Sequence, residues 1–405
     1  MYKRLLSLMI ARQTALCKMN ACLVLGLFAL IGTGFAADRI TTEKIAKELD
    51  YPYEHYTVQT EDGYLLGIDR IPCSQSNDEK PCPIALLAHG ISGSSIDFLL
   101  LRNESLGFLL ANAGYDVWAI NFRGNVNSRK HVNLNPDALI GDFWDFTFHE
   151  MGTKDLPATI DFIRNKTGQD EFRFFGNSEG ATAFFVMCSL KEEYQKYIKS
   201  AHLMTPVAYL EDLSSVYLEV ASKAIKLLNP LATVTGNMEF RPNGTITKLA
   251  GAAFCNDEPR ILCSDILFVL AGFNNVTVEP SILSEVLDTT PAGVSVKCLL
   301  HYFQIHDSNI FRQYDYGLLE NLRRYNSRNP PIYSLNVINI PVGLYYPENG
   351  KLIHTKDVVR IEDQLPNVIR VYEIKNNATY LSPIYSKRAK EDLYDLILKD
   401  VASIK

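Results

Sequence analysis

Phe172-Arg173-Phe174-Phe175-Gly176-Asn177-Ser178-Glu179-Gly180 leads straight into the apolar helical pattern Ala181–Leu190. A short apolar run, a serine bracketed by glycines and then a helix predict a sharp strand-to-helix turn, the nucleophile elbow. In it the serine hydroxyl stands at a helix N-terminus. Glycine on both sides relieves the crowding that such a turn creates. The bare Gly-x-Ser-x-Gly pattern is common by chance, and its place between strand and helix is what makes Ser178 a candidate nucleophile. The loop His89-Gly90-Ile91 follows another strand-like run, Ile84–Ala88, so the backbone N–H groups of Ile91 and Glu179 form the candidate oxyanion hole. His89 reads as a residue that shapes this loop. Glu179 sits awkwardly, because a carboxylate beside the oxyanion position opposes developing negative charge unless it is turned away or paired.

Working outward, Tyr56–Val58 and Tyr64–Ile71 flank Asp62-Gly63, a strong hairpin turn signal. Bounded apolar runs then recur at Asp116–Asn121, His202–Thr205, Val342–Tyr346 and Val368–Ile374, with helical patterns such as Ser105–Ala113 and Leu156–Asn165 between them. That alternation predicts an α/β chain with a mostly parallel sheet covered on both faces. The gap from about Pro206 to Ile340 is too long for one crossover. It predicts an inserted helical cap or lid, 206–340, dividing a body of 37–205 and 341–405. Within it, Val216–Leu228 is amphipathic and Ile261–Gly272 almost wholly apolar. Periodicity favours packing on the body over contact with a lipid interface for both.

Composition narrows the function further. The 405 residues are 47% hydrophobic and carry a net charge of −6, without the basic surplus of a nucleic-acid binder. Lys3, Arg4, Arg12 and Lys18 precede the uncharged run Met19–Ala37, with small residues at Gly34 and Ala36. Residues 1–36 therefore read as a cleaved signal peptide, giving a secreted or lumenal acidic protein with no transmembrane anchor. The sequons at Asn103, Asn165, Asn243, Asn275 and Asn377 fit that route as glycosylation sites. Cys73 with Cys82 and Cys255 with Cys263 bracket short polar stretches and are the expected disulfides. Cys188 and Cys298 read as buried thiols. No pattern suggests a metal, a dinucleotide or another cofactor.

An ordered set of segments makes the chain resemble the acid lipase family of α/β-hydrolases, the gastric and lysosomal acid lipases and their insect relatives. It includes Glu61-Asp62-Gly63-Tyr64, His89-Gly90-Ile91, Arg123-Gly124-Asn125, His149-Glu150-Met151-Gly152, Asp155-Leu156-Pro157 and Tyr314-Asp315-Tyr316-Gly317, and the likeness spans about residues 48–400. The resemblance implies a hydrolase body with a cap between strands 6 and 7, and lipid carboxylic esters as ligands. It implies supporting roles for His149 and Asp155, and leaves His301 and His306 open between substrate contact and packing. The family usually has histidine and glutamine where this chain has Asn177 and Glu179. Its catalytic acid falls on Gly350 and its catalytic histidine on Ala378, in Asn376-Asn377-Ala378-Thr379-Tyr380-Leu381. No histidine follows His354, so no alignment slip restores a base after the last strand. The expectation is a lipid-binding pseudoenzyme that keeps Ser178, repairable by joint Gly350→Asp and Ala378→His changes. The alternative is an active lipase hydrolysing acyl esters with a relocated base, His354 backed by Asp357.

Overall fold

The computed structural model describes residues 40–73, 81–138, 141–211, 239–240, 282–350 and 352–404. The signal segment, Asn243, Asn275, the Cys255–Cys263 pair and both cap segments, 216–228 and 261–272, lie outside them.

Eight strands form one sheet: β1 (Glu54–Gln59), β2 (Leu65–Ile71), β3 (Ile84–Ala88), β4 (Asp116–Ile120), β5 (Phe172–Asn177), β6 (Ile198–Met204), β9 (Val342–Pro347) and β10 (Val368–Ile374), the short β7 (Glu239–Phe240) and β8 (Val294–Ser295) pairing separately. Their order is β1-β2-β4-β3-β5-β6-β9-β10. The hairpin β1–β2 and the β2–β4 pair are antiparallel, and the rest of the sheet is parallel. Strands β3 and β4 are buried at every position, as central parallel strands covered on both faces must be. The helices of the chain include α1 (Leu106–Asn112), α2 (Leu156–Thr167), α3 (Glu179–Leu190), α4 (Val296–Ser308), α5 (Thr355–Glu362) and α6 (Asp395–Ser403). Of these α3 is the most enclosed, with Glu179 through Cys188 all buried. It runs back from the end of β5, so the sheet's own topology brings the candidate serine to the rim of the central strands.

The segments that carried the family resemblance meet in one buried network. Arg123, 1% exposed, donates from Nε to Asp155 Oδ1 at 2.8 Å and from Nη1 to Asp62 Oδ2 at 2.8 Å. Its guanidinium also lies 4.1 Å over the Tyr64 ring. Two carboxylates and a π face offset the cost of burying this cation. Asp155→Ala should therefore destabilise the protein by about 3–5 kcal/mol, because Arg123 stays buried with half its partners. Denaturant unfolding measures it, and a loss under about 1 kcal/mol would show the pair to be dispensable.

Cys73 and Cys82 form a disulfide with Cα atoms 6.4 Å apart. Cys188 and Cys298 are free and buried.

Candidate active site

Ser178 sits between β5 and α3 with φ 50° and ψ −109°, a backbone region that non-glycine residues rarely occupy. The neighbouring glycines are there for space. A Cβ on Gly180 would fall 2.2 Å from the Ala88 carbonyl oxygen of β3, and one on Gly176 would fall 2.8 Å from the Ala181 nitrogen. Ser178 N donates to the Met204 carbonyl at 2.9 Å, tying the elbow to the end of β6. The loop carrying Ile91 lies against the elbow, since a Cβ on Gly90 would come within 3.3 Å of Ser178 Cβ. Glu179 is the first residue of α3, so its N–H has no intrahelical acceptor.

His89 has the shaping role read from the sequence. Its Nδ1 pairs with the Gly90 carbonyl at 2.8 Å, and its Nε2 accepts from Phe122 N at 3.1 Å. Burial pushes its pKa down to about 4, so the ring is neutral. Glu179 is both turned away and paired. Its Oε1 accepts from Cys298 Sγ of α4 at 2.9 Å, and burial raises its carboxyl to about 7. At acidic pH it is an uncharged acid, close in shape to the glutamine usual in the family.

The Ser178 hydroxyl is hydrogen-bonded to the Tyr380 hydroxyl, which arrives from the loop after β10. Ala378, the position aligned with the family histidine, is buried with Ile374 and Leu393, and the side chain of this loop that reaches the serine is Tyr380. Burial lifts the Tyr380 phenol to about 12 against the smaller opposing effect of its bond to Ser178. At neutral pH the phenol therefore keeps its proton and offers no base.

The chain has eight histidines; seven of the rings, His89 included, are hydrogen-bonded elsewhere, and the hydroxyl partner of Ser178 is Tyr380. His55 meets Asp69, His131 the Asp62 carbonyl, and His149 the Tyr333 hydroxyl. His202 lies between Ser200 and Tyr345. His301 and His306 bond the Arg312 and Leu210 carbonyls, and His301 stacks 4.0 Å from Phe148; both hold packing positions. His354 is the N-cap of α5 and forms a capping box with Asp357, whose Oδ2 accepts His354 N at 3.2 Å. Asp357 Oδ1 also takes the Glu211 N–H at 3.0 Å, so this aspartate secures the backbone that follows β6. At the aligned acid position, a Cβ on Gly350 would lie 2.4 Å from the Ile353 carbonyl oxygen.

A second buried carboxyl lies beyond the oxyanion loop. Asp97 accepts from Tyr385 Oη at 3.0 Å and from Ser94 N at 3.2 Å, and burial raises it to about 7. The sequence signalled neither this group nor the Tyr380 contact. A tyrosine two residues beyond the aligned histidine was the only hint of the latter.

A doubly wound sheet with a serine elbow after its central strand defines an α/β-hydrolase. A family model described as "alpha/beta hydrolase fold" matches residues 83–227, and one described as "Partial alpha/beta-hydrolase lipase region" matches residues 42–102. A thermophilic esterase from Thermogutta terrifontis superposes with a TM-score of 0.50 at 12% identity, covering 87% of this chain and 99% of that one, which bears on the fold alone. The chain is 35% identical over 384 residues to gastric triacylglycerol lipase of Mus musculus, covering 93% of this chain and 95% of that protein. It is 36% identical over 358 residues to Lipase 3 of Drosophila melanogaster, covering 87% and 90%. With human lysosomal acid lipase/cholesteryl ester hydrolase it shares 34% over 388 residues, covering 93% and 96%. The chain belongs to the acid lipase family. Among the described residues no helix is long and apolar enough to cross a membrane.

Proposed function

We propose that this protein is a secreted or lumenal acid-lipase relative that binds lipid acyl groups while its hydrolytic turnover is impaired. The observation that carries the reading is the partner of Ser178. A serine hydroxyl becomes a useful nucleophile when an adjacent base takes its proton, and here its partner is a phenol that stays protonated. With seven of the eight imidazoles hydrogen-bonded elsewhere, Tyr380 as the partner of the serine hydroxyl and Gly350 at the acid position, Ser178 keeps its proton. The family's lipid esters and their acyl products supply the ligand class, and the cap insertion is the element proposed to meet a lipid interface. Asn103, Asn165 and Asn377 are exposed and suit the proposed glycosylation. Asn377 stands in the same loop as Tyr380, where a glycan would crowd the approach to the site.

One observation favours the second reading, ester hydrolysis through His354: its Nε2 is buried without a hydrogen-bond partner. A fluorophosphonate that phosphonylates activated serines separates the two. It should leave Ser178 unlabelled. Rapid labelling that disappears in His354→Ala would establish the relocated base.

A further inference from the structure

Proton donors outnumber free acceptors around Ser178. The Ser178 and Tyr380 hydroxyls meet each other, and a hydroxyl proton turns toward whichever acceptor is offered. The Glu179 N–H at the start of α3 has no intrahelical acceptor. On α4, the Tyr302 hydroxyl is buried without a hydrogen-bond partner; the neighbouring Thr182 hydroxyl gives its own proton to the Val207 carbonyl at 2.7 Å. The Cys298 thiol is spent on Glu179. An active elbow would add the basic nitrogen of an imidazole to this set, and none is present.

We infer that the elbow is a carboxylate-binding site, and that the preferred ligand is a free fatty acid held by its head group rather than an intact ester. This rests on the reading of impaired turnover and names the ligand within it. A carboxylate is acceptor-only, with about four lone-pair sites, and accepts charge-assisted hydrogen bonds roughly twice as strong as those to a neutral carbonyl. The N-terminal end of α3, 12 residues long, adds a favourable dipole. In the active enzyme the same acid would be a product to expel. Here Ser178 and Tyr380 can each turn a hydroxyl proton toward one carboxylate.

The ionisable groups packed around Glu179 are Cys298 and Tyr302 from α4 and Tyr380 from the loop after β10, with Glu150 close enough to act on Cys298. Burial raises Cys298, Tyr302 and Tyr380, so all three are neutral near pH 7. Fatty-acid affinity should accordingly fall as the solution is taken from mildly acidic to mildly alkaline and Glu179 ionises.

The test is displacement of a fluorescent fatty acid by oleic acid and by methyl oleate. Oleic acid is expected to bind about tenfold tighter at mildly acidic pH. Tyr380→Phe should weaken oleic acid more than methyl oleate and so remove most of that preference, and Glu179→Gln should flatten the decline with pH. Equal affinities for acid and ester, or an unchanged preference in Tyr380→Phe, would overturn the inference. Hydrolysis of methyl oleate lost in Ser178→Ala would instead strike the impaired-turnover reading. A tighter ester that is not hydrolysed strikes this inference alone.

Discussion

The protein is expected to hydrolyse medium- and long-chain esters no faster than its Ser178→Ala variant, from acidic to neutral pH. Loss of the base in a serine triad typically costs about a million-fold in kcat, on the order of 8 kcal/mol of barrier. An intact oxyanion hole recovers only a small part of that. Tyr380→Phe should leave the rate at background, since the phenol supplies no base. The simple repair expected from alignment, Gly350→Asp with Ala378→His, now has a physical obstacle. A Cβ at position 350 would meet the Ile353 carbonyl at 2.4 Å, and Ala378 is 3% exposed within an apolar cluster. That double variant should lose stability and gain little activity. Release of fatty acid measured by titration, with Ser178→Ala as the blank, decides the matter. Robust hydrolysis by the unaltered chain would end the pseudoenzyme reading, and loss of that activity in His354→Ala would name the base.

The second large effect is on stability. Glu179 and Asp97 have their pKa values raised from 4.5 and 3.8 to about 7, in both cases by burial without a cation to pair. The folded state therefore holds two protons that the unfolded chain has already released at neutral pH. The stability they contribute is fully present below the ordinary carboxyl range, declines as pH rises through their folded values and is gone above about 7. At about 1.4 kcal/mol per unit, Glu179 accounts for about 3–4 kcal/mol and Asp97 for about 4–5 kcal/mol. Opposing groups act in the same window: burial lowers His89 and His202 to about 4 and His301 to about 3, so the stability linked to them is gained as pH rises toward the ordinary imidazole value. Asp62, paired with Arg123 and lowered to about 2, loses its contribution only in stronger acid. The two carboxyls are isolated by comparing variants in denaturant unfolding at a series of pH values: Glu179→Gln combined with Asp97→Asn should make stability rise more, or fall less, between mildly acidic and neutral pH than it does in the unaltered protein. The same pH dependence in the double variant and the unaltered protein would refute the assignment.

Much of the fold was legible because its signals are local. The turn at Asp62-Gly63, the apolar runs of β3, β4, β9 and β10 and the strand–serine–helix passage each declare themselves within about ten residues. The site was legible only in part. Ser178 and the donor loop follow from short motifs, and the absence of a late histidine is a property of composition that no folding detail alters. Tyr380 was not legible, because a loop's backbone path decides which of its side chains enters a site. Glu179 drew attention as an anomaly; its resolution by Cys298, 119 positions away, required the placement of α4. Asp97 was invisible, since a carboxyl's burial depends on what the rest of the chain lays over it.

The Arg123 network also bears on how the chain reaches its native state. Asp62 lies 61 positions before the arginine and Asp155 lies 32 after it. Until both are in place, closing the sheet over Arg123 would strand an uncompensated charge. The turn of the opening hairpin, the end of β4 and the approach to α2 are thereby obliged to consolidate together. On a ribosome, that obligation delays firm packing of the first half until residue 155 has emerged from the exit tunnel. Early strands then remain loosely associated, a vectorial dependence that chaperones acting on the nascent chain would encounter.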